Sequence, residues 1–139
     1  MKNRLPQARG TTRDSAIERR RRLRSGAIAE FLAAGYLMLK GYRILARRHR
    51  TPYGEVDIIA VRRGRAGRLA FVEVKRRATM AEAEASLTPR QGARIARAAD
   101  HWLQHRPSHR DRDVGLDAVL IVPGHMPRHL LNVLDAGRA

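Results

Sequence analysis

The sequence has no cysteine, so disulfides and thiol chemistry are excluded and a reducing compartment is allowed. Aromatic residues make up only 4% of the chain: Trp102, Tyr36, Tyr42, Tyr53, Phe31 and Phe71. That scarcity argues against recognition of single strands by base stacking, and so against a ribosomal or RNA-stacking role. Acids are scarce too, with 13 against 29 lysines and arginines, for a formal net charge of +16. An excess of this size speaks to partners rather than to fold. Nucleic acid is the first candidate and an anionic membrane surface the second. The longest apolar run, residues 27–39, contains Glu30 and is too short to span a bilayer. The start, MKNRLPQARGTTRDS, lacks the apolar core of a signal peptide. These features describe a soluble, cytoplasmic protein with no membrane partner. A chain of 139 residues suits one domain with one core.

What is present centres on residues 54–75. Residues 55–62 (EVDIIAVR) and 69–75 (LAFVEVK) are rich in β-branched and apolar residues and read as strands. Arg63-Gly64-Arg65-Ala66-Gly67 is the glycine-bearing connection. Alternation places Glu55, Asp57, Ile59 and Val61 on one face, and Leu69, Phe71, Glu73 and Lys75 on one face. A hairpin centred on Arg65 pairs Val61 with Leu69, Ile59 with Phe71, Asp57 with Glu73, and Glu55 with Lys75. In that register Asp57 and Glu73 have Cβ atoms ~5 Å apart. Two negative charges ~4 Å apart repel by about 1 kcal/mol in water and about 4 at an effective dielectric near 20. A divalent cation removes that cost. Oxygen ligands without cysteine or local histidine point to magnesium or manganese rather than zinc. Lys75 could then orient or deprotonate a water, or neutralise a phosphate oxygen. The residues alone leave a second reading open, a solvated strand face with an ordinary cross-strand ion pair.

Around the hairpin the chain reads as follows. Residues 1–14 form a basic, disordered arm, and residues 15–139 form a single domain. Ser15 to Glu18 fits a capping box, and Gly26 separates that segment from a helix over 27–40. In the helix, Ile28, Phe31, Leu32, Gly35 and Leu39 recur at helical spacing and should face the sheet. Arg19 to Arg22 reads equally as a solvated helix face or a phosphate contact. Tyr42–Arg50 is an edge strand, and residues 78–87 form a loop with one short alanine-rich turn. Thr88-Pro89-Arg90-Gln91 starts a second helix, with Gln91 as a capping residue first. Its buried side holds Ile95, Ala99, Trp102 and Leu103. Its Arg90, Arg94, Arg97 and His101 make a basic stripe suited to a phosphate backbone. Arg76 and Arg77 follow the proposed site, where phosphate contact fits. His101, His105 and His109 do not make a zinc set, because Pro107 breaks the helix between the last two. Residues 114–122 form a central strand parallel to the third. Its Asp117 needs a partner, with an arginine or tyrosine preferred over a metal. One short element is expected over 128–134.

The order helix, Gly54-Glu55-Val56-Asp57, Phe71-Val72-Glu73-Val74-Lys75, helix resembles the PD-(D/E)XK nuclease superfamily. Ala29-Glu30, the run Leu39 to Leu45, and Leu116-Asp117-Ala118-Val119 extend the likeness to the YraN family within it. The resemblance implies an α/β fold with a restriction-endonuclease-like α-β-β-β-α-β core, a mixed central sheet flanked by helices. It implies metal ligation by Asp57 and Glu73, a catalytic Lys75, and Glu30 as a further catalytic and metal-binding acid. The chemistry implied is magnesium- or manganese-dependent hydrolysis of DNA, branched or structured DNA included. The alternative is a non-catalytic nucleic-acid-binding module on the same fold. A four-way junction would call for a homodimer. Two departures stand out: Val56 occupies the position of the proline in the superfamily's name, and Gly115 the position where the family pattern leads one to expect arginine.

Overall fold

Strand pairing sets the frame on which everything else is placed. The protein is described here by a computed structural model covering residues 12–64 and 67–135. The elements run α1 (Thr12–Leu39), β1 (Tyr42–Thr51), β2 (Gly54–Arg62), β3 (Leu69–Arg76), α2 (Met80–Ala85), α3 (Pro89–Gln104), β4 (Val114–Ile121) and β5 (Arg128–Leu130). Short 3-10 turns lie at Pro107–His109 and Val133–Asp135. The sheet order is β1-β2-β3-β4-β5. β1, β2 and β3 meander antiparallel, β4 joins β3 in parallel, and β5 returns antiparallel to β4. This is the expected mixed α/β architecture, compatible with a restriction-endonuclease-like core. The one crossover, from β3 through α2 and α3 to β4, is what a parallel neighbour requires.

The two faces of the sheet are covered differently. On one side Ile95, Ala99 and Trp102 of α3 pack on Ile59, Val61, Leu69, Phe71 and Leu116. Trp102 meets Phe71 edge-on, with ring centroids 5.7 Å apart. On the other side Ala29, Ala33, Ala34 and Leu37 of α1 pack on Ile58, Ala60, Ala70, Val72 and Val119. Helix α3 starts as its sequence demands. The Thr88 hydroxyl accepts from the Gln91 amide, and the Gln91 side chain accepts from the Thr88 amide, with Pro89 in the first turn.

Helix α1 departs from expectation in three ways. It already includes Thr12, the first described residue, so the Ser15 capping box does not mark its start. Gly26 does not interrupt it. One helical glycine costs about 1 kcal/mol, which a helix anchored on the sheet along its second half tolerates. Ile28, Phe31, Leu32 and Leu39 do not face the sheet but solvent. The alanine face is inside because small side chains let the helix axis approach the sheet closely. Gly41, at φ +92°, ends α1 and turns the chain into β1. Of the arm expected over 1–14, residues 1–11 lie outside the described residues, as do Arg65 and Ala66 of the hairpin loop.

Candidate metal and phosphate site

The hairpin register is the expected one at its loop end: Val61 pairs with Leu69 and Ile59 with Phe71. The ladder stops at Ile58–Val72. Just beyond, the Asp57 carboxylate accepts a hydrogen bond from the Val74 backbone amide at 2.8 Å. A side chain thus takes the place of strand pairing, and β2 parts from β3 here.

The alternation of β2 also breaks at this point. Val56 and Ile59 pack on the α3 side, Ile58 and Ala60 on the α1 side. A strict period of two would keep Val56 with Ile58. The break falls at Asp57, so Asp57 and Glu55 do not share a face with Ile59 and Val61 as the unbroken pattern implies. They turn instead to the α1 side, where Glu30 waits. Carboxylate oxygens of Glu30, Glu55 and Asp57 lie within 4.8 Å of one another, close enough to hold one metal ion. The motifs do not mark Glu55 as a site residue, although its spacing of two from Asp57 carries the signal.

Arg48 of β1 adds to the distortion. It has φ 49°, rare for a residue with a side chain, and its Nε donates to Glu30 at 2.5 Å. Left-handed backbone in a strand costs of order 1–3 kcal/mol and tends to occur where geometry serves a site.

Glu73 comes from the α3 side. It is 7% exposed and faces two cations, Lys75 at 3.2 Å and Arg94 at 3.5 Å. Asp57 and Glu73 therefore do not stand side by side on one face. They meet at the opening between β2 and β3, where Glu30, Asp57 and Glu73 line one cavity of about 500 Å³. Arg21, Arg22, Arg76 and Arg77 line the same cavity. Of the expected phosphate contacts, Arg76 and Arg77 thus lie at the site, and Arg21 and Arg22 join them from α1. Arg94 reaches the site through Glu73. Arg90 is exposed, and Arg97 lines a separate depression with Tyr53, Asp100, His101 and Gln104.

Electrostatics single out Asp57. Burial first, then the Glu73 carboxylate, push it from an ordinary 3.8 up to about 7, with Glu30 and Glu55 adding to the rise and the Val74 amide opposing it. A buried acid crowded by acids is a place where a divalent cation relieves both repulsion and desolvation. Three oxygen donors with no sulfur or imidazole suit magnesium or manganese. The histidines do not compete: among the described residues the carboxylate cluster is the one group of three metal-capable side chains.

Asp117 is fully buried, and it is fully partnered. Arg68 donates to its two oxygens at 2.5 and 2.6 Å, His129 Nε2 lies at 2.8 Å and the Asn132 amide donates at 2.9 Å. Burial alone would raise Asp117, but Arg68, His129 and Asn132 outweigh it and hold the carboxyl at about 2. The expected bracing of an arginine is what the structure shows. It also accounts for Gly115: a Cβ there would lie 1.8 Å from Arg68 Nη2, so the glycine makes room for that guanidinium.

The mixed sheet, the flanking helices and the acids at the parting of β2 and β3 define an α/β protein of restriction-endonuclease-like architecture. Sequence comparison gives the particular family. The pattern of the uncharacterised protein family UPF0102 matches residues 29–121, and the chain belongs to that family. This is the YraN family indicated by the motifs. A UPF0102 protein of Rhodopseudomonas palustris (strain BisA53) is 53% identical over 121 residues, covering 87% of this chain and 91% of the relative. The UPF0102 protein bll0669 of Bradyrhizobium diazoefficiens is 47% identical over 131 residues, covering 94% and 96%. A UPF0102 protein of Nitrobacter winogradskyi is 52% identical over 112 residues, covering 81% and 92%.

Proposed function

We propose that this protein is a metal-dependent phosphodiesterase acting on DNA. The observation that carries the reading is the convergence of Glu30, Glu55 and Asp57 beside a cavity that Glu30, Asp57 and Glu73 line together with Arg21, Arg22, Arg76 and Arg77. Acids that bind a cation and arginines that bind phosphate serve one purpose together, the holding of a phosphodiester at a metal. Glu30, Glu55 and Asp57 would hold magnesium or manganese, with Glu73 facing the same cavity from β3. Once bound, the metal would supply positive charge to the scissile phosphate and the leaving oxygen. Lys75, which pairs with Glu73, would orient or deprotonate the attacking water. The arginines position the backbone without reading bases.

A second reading has its own support. Glu30 is already paired with Arg48, and Glu73 with Lys75 and Arg94, so two of the acids are balanced by the chain's own cations. A binding module needs no more than that. The two readings separate on cleavage of a labelled panel (duplex, single strand, flap and four-way junction) with magnesium, manganese or EDTA. Lys75→Ala is run alongside. Metal-dependent cutting that disappears in Lys75→Ala is the expected result. Binding with no cutting on any substrate with either metal would leave the binding module standing.

A further inference from the structure

We propose that the outer face of α1 is the contact surface for a second copy of this chain, the two α1 helices crossing antiparallel at Gly35. The inference stands apart from the nuclease reading. Ile28, Phe31, Leu32, Met38 and Leu39 all project within about 60° of Gly35 at 100° per residue. They are 58%, 68%, 47%, 60% and 89% exposed. The residues that pack on the sheet, Ala29, Ala33, Ala34 and Leu37, lie on the opposite side of the helix. α1 therefore has two apolar faces, and the bulkier one is bare. Single exposed leucines are ordinary, but a contiguous stripe of five large apolar side chains is not.

Among the described residues nothing covers the stripe. The residues outside the described structure contain only Met1 and Leu5 as large apolar side chains. The exposed parts of the five side chains come to on the order of 700 Å², close to the ~800 Å² that one partner gives to a stable interface. Gly35 sits at the middle of the stripe with nothing within 4 Å, a notch where a second helix can approach closely.

Charge chooses the arrangement. Arg19 to Arg22 and Arg24 precede the stripe along the helix. An antiparallel crossing at Gly35 sends the two basic ends in opposite directions, whereas a parallel one would align them. A membrane is the poorer occupant. Interfacial helices carry lysine or arginine on a solvated face opposite the apolar stripe. Here the opposite face, Ala29, Ala33, Ala34 and Leu37, packs on the sheet. Glu30 projects well away from the stripe, so pairing leaves the carboxylate site open.

The experiment is sedimentation of the full chain over a concentration series, with Phe31→Glu compared. The wild type is expected to sediment as a dimer. Phe31→Glu is expected to sediment at about half the mass, with unchanged circular dichroism, since Phe31 makes no core contact. The chain has no cysteine, so Gly35→Cys carries the sole thiol. Under mild oxidant it should form a covalent dimer, and Gln104→Cys on α3 should not. A wild type that is monomeric throughout would overturn the proposal. So would a dimer indifferent to Phe31→Glu, or a monomer that floats with phosphatidylglycerol vesicles through Phe31. A dimer in which Gly35→Cys does not cross-link would overturn the crossing point.

Discussion

Asp57 is half-buried and Asp117 fully buried, and they titrate in opposite directions because of what surrounds them. Asp57 has acids for neighbours and is pushed up to about 7. Its pKa is higher folded than unfolded, so the folded state binds the extra proton between about pH 4 and about pH 7. Metal-free stability should therefore fall as pH rises through that window, by at most about 4 kcal/mol at about 1.4 kcal/mol per pH unit. Urea denaturation in EDTA at pH 5 and pH 8 measures the fall. Asp57→Asn should flatten it, and magnesium should restore the wild type at pH 8 but not the variant. An equal slope in both proteins would show that Asp57 is not the strained acid. Asp117 has the reverse sign: its pKa is depressed to about 2, so its contribution is present above about pH 4 and is lost as pH falls toward 2. Gly115→Ala places a methyl against the Arg68 guanidinium, and breaking a buried pair costs about 3–5 kcal/mol. Thermal melts should show Gly115→Ala as strongly destabilised, and an unchanged midpoint would mean that Arg68 moves aside freely. The sequence made the need of Asp117 for a partner legible, because an acid in an apolar strand cannot stand alone. It hid which arginine answers, since Arg68 lies 49 residues away and meets Asp117 only through the β3–β4 pairing. What stayed hidden is the turn of Glu55 and Asp57 together toward Glu30: the break of alternation at Asp57 is a backbone event with no side-chain pattern to announce it.

At the scale of elements, the parts that declared themselves were those with local chemistry. The capping box of α3, the loop-end register of β2 with β3 and the edge position of β1 follow from neighbouring residues and from strand period, while the expected pairs Asp57–Glu73 and Glu55–Lys75 do not form. The orientation of α1 did not follow, because two apolar faces compete on one helix. Pattern favours the face with larger side chains; the sheet accepts the one with smaller. Packing decides, since Ala29 and Ala33 let the helix lie close over Ala60 and Ala70. This gives a direct check. Ala33 is fully buried, so Ala33→Leu should overpack the contact and cost about 1–3 kcal/mol in urea denaturation. Leu23→Ala, on an exposed part of the same helix, should change stability by less than about 0.5 kcal/mol. A neutral Ala33→Leu would show that the alanine face of α1 does not pack tightly on the sheet.

Over the whole molecule the +16 charge is not spread evenly with respect to the site. Arg21, Arg22, Arg76 and Arg77 gather at the carboxylate cavity, and Arg90, Arg94 and Arg97 continue along α3 from its first turn. Arg94 links the two sets. Its side chain lies over Gly54, where an added Cβ would come 2.8 Å from Cδ, and its guanidinium reaches Glu73. If the phosphate backbone follows this line, each arginine that meets a phosphate releases a counterion and steepens the salt dependence of binding. Replacing Arg94 and Arg97 together with alanine should lower the slope of log affinity against log salt by about 1 to 2. The weakening should be alike for all sequences, because backbone contacts carry no base information. Binding is best measured without metal, so that the contact of Arg94 with Glu73 does not mix chemistry into the result. A slope unchanged by the double replacement would remove α3 from the nucleic-acid face and confine phosphate contact to the cavity between α1 and β3.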